Sequence, residues 1–162
     1  YDAHLDYAPF VHGVQFSNSN PFRHVRRLKH VASLTQVGIR SLRNTARMHQ
    51  DSEQDENRVV TMGAFRRAGP GCIAEHLPEG ADVYVSIDID VLDLALVPGC
   101  VSAEPNGMAY EEFMASLRAI AKRCEIVGFD LVEVSPPLDV RTQVTSYLGA
   151  HTIIEFLGHI LG

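Results

Sequence analysis

An α/β fold with a mainly parallel sheet follows from three features of the sequence. Short runs rich in β-branched residues recur, helix-period apolar stripes lie between them, and the runs are nearly continuous in apolar character instead of alternating. Strand and helix in alternation imply crossover connections. At 162 residues the chain reads as a single domain, 1–162, long enough to bury a substantial core.

Three segments are expected as strands: TQVGI at 35–39, DVYVSIDI at 82–89 and IVGFDLVEV at 126–134. Asn20-Pro21 offers a helix cap followed by proline at the first helical position, and Phe22, Val25, Leu28 and Ala32 continue at helical spacing. Tyr110, Phe113, Met114, Leu117, Ile120 and Ala121 form the cleanest amphipathic stripe. A last helix is expected over 145–161, weakened by Gly149 and Gly158. The polar stretch 49–58 (HQDSEQDENR) lacks apolar periodicity and reads as an exposed loop or helix start.

A net charge of -6 argues against a sequence-independent grip on nucleic acid, which needs clustered Lys and Arg along a face. The one basic cluster, 23–29 (RHVRRLK), is interleaved with Val25 and Leu28 and reads as a solvated helix face. Cys72, Cys100 and Cys124 have neither the count nor the spacing of a disulfide framework or zinc knuckle, so a reducing compartment is expected. No apolar run approaches the roughly 18 residues of a membrane span, and no signal-peptide pattern opens the chain. The expected location is therefore the cytoplasm, with no membrane partner.

The chemistry is concentrated in two segments. In VYVSIDIDVLD an apolar strand delivers Asp88 and Asp90, two residues apart and so expected on one face as the strand leaves the core. Alone, such a pair serves equally well as loop caps, a role that also suits Asp93. Holding two ionised carboxylates beside an apolar sheet is costly without a compensating cation. The opening YDAHLD repeats the spacing with Asp2, His4 and Asp6. If that segment ends another strand, all five groups converge at the carboxyl edge of the sheet, where ligands of open α/β sheets sit. An oxygen-rich set with one imidazole suits Mn²⁺ or Mg²⁺ better than a structural zinc, and so many anions suggest two ions.

DAHLD (2–6), SIDIDVLD (86–93) and GFDLVEVSP (128–136), in this order and spacing, resemble the arginase/agmatinase family, the ureohydrolases. The resemblance implies a three-layer α/β/α, arginase-like fold and hydrolysis of a guanidino group to urea and an amine at a binuclear manganese centre. It implies that Asp2 and Asp88 bridge two Mn²⁺ ions, that His4 and Asp90 complete one ion, and that Asp6 helps hold the other. His12, in HGVQF, matches the family's proton-transfer histidine, and Glu133 the glutamate that pairs with the substrate guanidinium. Homo-oligomers, trimers or hexamers, are implied on the same ground.

The chain also departs from the family pattern. It has no GGDH-type segment upstream of DAHLD, and Asp93 precedes Leu94 where relatives have proline, although Pro98-Gly99 matches the downstream Pro-Gly. The first departure is read as a domain incomplete at its N-terminus, 1–162 being its C-terminal portion. Tyr7-Ala8-Pro9 lacks the asparagine that resembles arginase's amino-acid recognition, so an agmatine-like amine or a simple guanidino acid is expected ahead of arginine. Two other readings stay open: a metal-poor, catalytically silent member with a structural or regulatory role, and a two-metal phosphoesterase or deacetylase-like hydrolase.

Overall fold

The computed structural model describes residues 1–10 and 14–162. In chain order the elements are α1 (Pro21–Val25), β1 (Thr35–Ile39), α2 (Ala46–Gln54), β2 (Arg58–Thr61), α3 (Met62–Ala68), α4 (Cys72–Glu75), β3 (Asp82–Asp88), α5 (Tyr110–Arg123), β4 (Glu125–Val132) and α6 (Val144–Leu161). Short 3₁₀ turns follow β3 at Ile89–Val91 and β4 at Pro136–Leu138.

Two parallel pairs, β1 with β2 and β3 with β4, make the sheet. Residues 1–3 lie between them. Tyr1 N donates to Ser86 O at 2.9 Å and Asp88 N to Tyr1 O at 2.9 Å, while on the other side Asp2 N donates to Val37 O at 2.9 Å and Arg40 N to Ala3 O at 3.0 Å. The spatial order is thus β2, β1, residues 1–3, β3, β4. All four carboxyl-terminal loops that matter below therefore emerge at one edge.

Gly38 permits the close approach of the central segment to β1. At φ +100° it sits in the left-handed region, and a Cβ there would fall 2.9 Å from Asp2 O and 2.8 Å from Val91 Cγ2. The β1–β2 register shifts at this point.

The main core gathers Val85 and Ile87 of β3, Phe113, Leu117 and Ile120 of α5, and Phe156 of α6. Tyr1 meets Phe113 edge-on with ring centroids 5.5 Å apart, and Phe129 meets Phe156 at 5.1 Å. The α5 stripe is buried as its spacing predicts, and truncating fully buried Leu117 to alanine costs about 2–5 kcal/mol. Glu112 Oε2 accepts the Ala109 amide at 2.8 Å, and acids in the first turn with bases in the last complement the helix dipole.

Three expectations need correction. The stretch 49–58 is largely helix: Thr45 caps α2 by accepting from Met48 N, and Asp51 and Ser52 are buried. The basic cluster is not a continuous solvated face, because α1 stops at Val25 and Arg23 is buried. Its guanidinium lies over the Tyr7 ring, donates to Tyr7 O and pairs with Asp51. The strand expected to reach Val134 ends at Val132. On one face of the β3–β4 pair Tyr84, Ser86 and Asp130 lie together, Asp130 accepting from Ser86 Oγ at 2.8 Å and from Tyr84 OH at 3.0 Å. The elements β2, α3 and α4 carry weak patterns and had no counterpart in the sequence reading. All three cysteines are buried and unpaired, and no helix among the described residues is long and apolar enough to cross a membrane.

Candidate metal centre

Two aspartate-initiated turns, not two strand faces, bring the candidate ligands together. Residues 2–6 are not strand, and Asp2 Oδ1 accepts the amide of His4, two residues on, at 2.5 Å. β3 ends at Asp88, whose Oδ1 accepts the amide of Asp90 at 2.9 Å and so opens the 3₁₀ turn. An aspartate folding back on the amide two residues ahead is an Asx-turn, which competes successfully with strand geometry. The period of two in both motifs therefore reflects a turn, and the expectation of extended one-face spacing is corrected accordingly.

The turns interlock. Asp90, fully buried, accepts from Ala3 N at 2.9 Å through Oδ1; its Oδ2 accepts from His4 Nδ1 at 2.9 Å and from Ser102 Oγ at 3.4 Å. His4 Nδ1 also lies 3.4 Å from Asp2 Oδ1. Two ligand triads result, Asp2 with His4 and Asp90, and Asp88 with Asp90 and Cys100, each with its donor atoms within 4.8 Å of one another. Asp90 belongs to both.

Burial and mutual repulsion dominate the electrostatics of the cluster. Burial, reinforced by its acidic neighbours, pushes Asp88 up to about 9 and Asp6 up to about 8, and burial raises Asp2 as well. Burial works against a charged imidazole at His4, yet the accepting carboxylates of Asp2 and Asp90 win and hold it up to about 10. Asp90 stays low: hydrogen bonds from His4 and the Ala3 amide outweigh its burial. His4 Nε2 is buried without a hydrogen-bond partner among the described residues. A set of buried, mutually repelling carboxylates with one imidazole is chemically suited to divalent cations, and the oxygen-rich composition favours hard ones such as Mn²⁺.

Of the residues singled out in the sequence, Asp2, His4, Asp88 and Asp90 meet directly. Asp6 and Glu133 line the same cleft, of about 320 Å³, without belonging to either triad. Both adopt left-handed backbone conformations, φ +46° for Asp6 and +64° for Glu133. Non-glycine residues held there store strain, a feature concentrated at functional sites. His12 lies outside the described residues.

Four contributors escaped the sequence reading. Cys100 stands in the second triad, directly after the Pro98-Gly99 pair that could have marked it. Arg40 donates to the carbonyls of Asp90 at 2.7 Å, Glu104 at 2.8 Å and Leu92 at 3.1 Å, tying together the loops behind the ligands. Ser41 Oγ donates to Glu104 Oε1 at 2.7 Å, and the same oxygen faces His4 Nε2 at 3.7 Å. Side chains that act on loop backbones leave no spacing signal in a sequence.

The family model described as the Arginase family matches residues 1–158. This chain belongs to the arginase family. Both Asx-turns and Glu133 fall inside the matched region. It is 33 % identical over 163 residues to proclavaminate amidinohydrolase of Streptomyces clavuligerus, covering 96 % of this chain and 52 % of that protein. It is 36 % identical over 141 residues to an agmatinase of Halalkalibacterium halodurans, covering 85 % of this chain and 46 % of that protein. The solved structure of the Streptomyces clavuligerus enzyme superposes with a TM-score of 0.88 at 34 % identity, over 98 % of this chain and 54 % of that one. The fold is therefore arginase-like, and the chain spans about half the length of the curated relatives it matches.

Proposed function

We propose that the protein to which this arginase-family chain belongs is a binuclear manganese amidinohydrolase, releasing urea and an amine from a guanidino compound. The observation that carries the reading is the pair of ligand triads sharing Asp90 at the base of a cleft lined by Glu133. Relatives named amidinohydrolase and agmatinase support it.

Asp2, His4, Asp88 and Asp90 would hold the ions, with Asp6 assisting from the cleft wall. Two divalent cations bound there would lower the pKa of a water far enough to supply hydroxide at neutral pH, which a carbon as poorly electrophilic as that of a guanidinium requires. Glu133, partly buried on the cleft wall, presents a carboxylate matched to the planar guanidinium and orients its carbon toward the ligand cluster. The strained backbone at Glu133 limits where that carboxylate can go, which favours one substrate pose. His12, by its place in the family pattern, is assigned the proton delivered to the departing amine, a task for which imidazole is suited near neutral pH. Agmatine and simple guanidino acids are the substrates preferred over arginine, and a trimer or hexamer is the assembly the family pattern favours.

The test is urea release by the full-length, manganese-loaded protein offered agmatine, 4-guanidinobutyrate and arginine in parallel. Urea from at least one is expected. No urea from any, with manganese bound, refutes the reading.

A further inference from the structure

The cleft is not uniformly acidic. Asp6, Asp88 and Glu133 place carboxyl groups on its wall, but Arg43 also lines it, and among the described lining residues Arg43 is the one Lys or Arg. Asn18, Ser19 and Asn44 add neutral polar groups to the lining.

Arg43 is free to act on a ligand. It is exposed and has no ion pair among the described residues, whereas nearby Arg40 is committed to backbone carbonyls and Arg47 to Asp51. Its position is nonetheless fixed at the backbone: Arg43 N donates to Ser41 Oγ at 3.0 Å, and Ser41 is anchored on Glu104. The side chain thus leaves a pinned loop.

Topology separates the two charges. Arg43 follows β1, and Glu133 follows β4; residues 1–3 and β3 lie between them in the sheet. Three strand spacings put the two loops roughly 14 Å apart across the edge. A long arginine side chain reaching inward from one loop, and a glutamate from the other, leave room for a short, extended molecule with unlike ends. A primary ammonium at the far end would meet Arg43 with like charge, while a carboxylate would meet a fork that binds it in bidentate fashion.

We infer that the substrate carries a carboxylate at the end remote from the hydrolysed guanidino group, and that Arg43 reads it; this rests on the amidinohydrolase reading above. Arg43 is then a specificity residue that selects a guanidino acid over a guanidino amine by attraction to one and repulsion of the other.

The test compares urea release by the full-length, manganese-loaded protein from 4-guanidinobutyrate and from agmatine, which are similar in length and opposite in terminal charge. The wild type is expected to favour the acid in kcat/KM by about tenfold or more, because like-charge juxtaposition penalises the amine. Arg43→Glu is expected to invert that ratio and Arg43→Lys to retain its direction. Preference of the wild type for agmatine, or an unchanged ratio in Arg43→Glu, overturns this inference alone. Absence of urea from both compounds and from arginine overturns the amidinohydrolase reading and this inference with it.

Discussion

The Arg40 guanidinium donates from Nη2 to the carbonyl of Asp90 at 2.7 Å, so a cation stands directly behind the residue shared by both ligand triads. The same nitrogen reaches the carbonyls of Leu92 and Glu104, and Nε reaches Pro105 O at 3.0 Å. Removing it strands several carbonyls in the loops that carry the ligands. Arg40→Ala is expected to destabilise the protein by about 2 kcal/mol, the scale for a half-buried charged donor lost from its acceptors. Urea denaturation checks this, and a shift within about 0.5 kcal/mol, the range of an ordinary surface substitution, would show that water replaces the guanidinium without cost.

Glu104 offers a second prediction. A metal-ligating histidine commonly donates its other ring N–H to a carboxylate, which fixes tautomer and ring orientation. His4 points Nδ1 into the cluster and its orphaned Nε2 toward Glu104, itself held by Ser41. Glu104→Ala is expected to weaken manganese binding by about 10–100-fold, measured by titration of the free-ion electron paramagnetic resonance signal. Unaltered affinity would mean that Glu104 merely braces its loop.

How much of this was legible beforehand depends on which physical scale carried it. The β1, β3 and β4 segments and the α5 stripe were readable because burial imposes a period on sequence, as Val85, Ile87, Phe113 and Leu117 illustrate. The proximity of Asp2, His4, Asp88 and Asp90 was legible because carboxylates at the end of an apolar strand demand an explanation; that they hold metal is the proposal. The local geometry was not: spacing by two fits a strand, and only the hydrogen bonds from His4 N and Asp90 N reveal Asx-turns. Asp51 reads as an exposed acid in sequence because its partner, Arg23, lies 28 residues away. Arg40 and Arg43 were indistinguishable in sequence, three residues apart, yet one braces loops and the other lines the cleft.

Strain at Glu133 separates stability from activity. At φ +64° a glycine fits better than glutamate, so Glu133→Gly is expected to be no less stable than the wild type despite the added freedom of its unfolded chain. Loss of the carboxylate proposed to orient the substrate is expected to lower kcat/KM for urea release by about 100-fold or more. Thermal melting and kinetics on the same preparation check both. A variant that melts well below the wild type would show that Glu133 is placed for packing.

The Arg23–Asp51 pair gives a pH dependence with a definite sign. Arg23 donating to Asp51 holds its carboxyl below the ordinary 3.8, against the opposing effect of burial. A folded pKa below the unfolded one means that the pair's contribution is complete above about pH 4 and is lost as pH falls through the folded value. Asp51→Asn is expected to cost about 3 kcal/mol at neutral pH, the low end for a broken buried pair. The wild-type and variant stabilities should converge in acid; a gap that stays constant would assign the loss to packing.

The most direct test of the centre itself is the number of manganese ions bound per chain by the full-length protein, counted by equilibrium dialysis with elemental analysis, in the wild type and in Asp90→Asn. Because Asp90 is common to both triads, two ions are expected in the wild type and at most one in the variant. A wild type that binds none, or a variant that still binds two, would contradict a binuclear site built on Asp90.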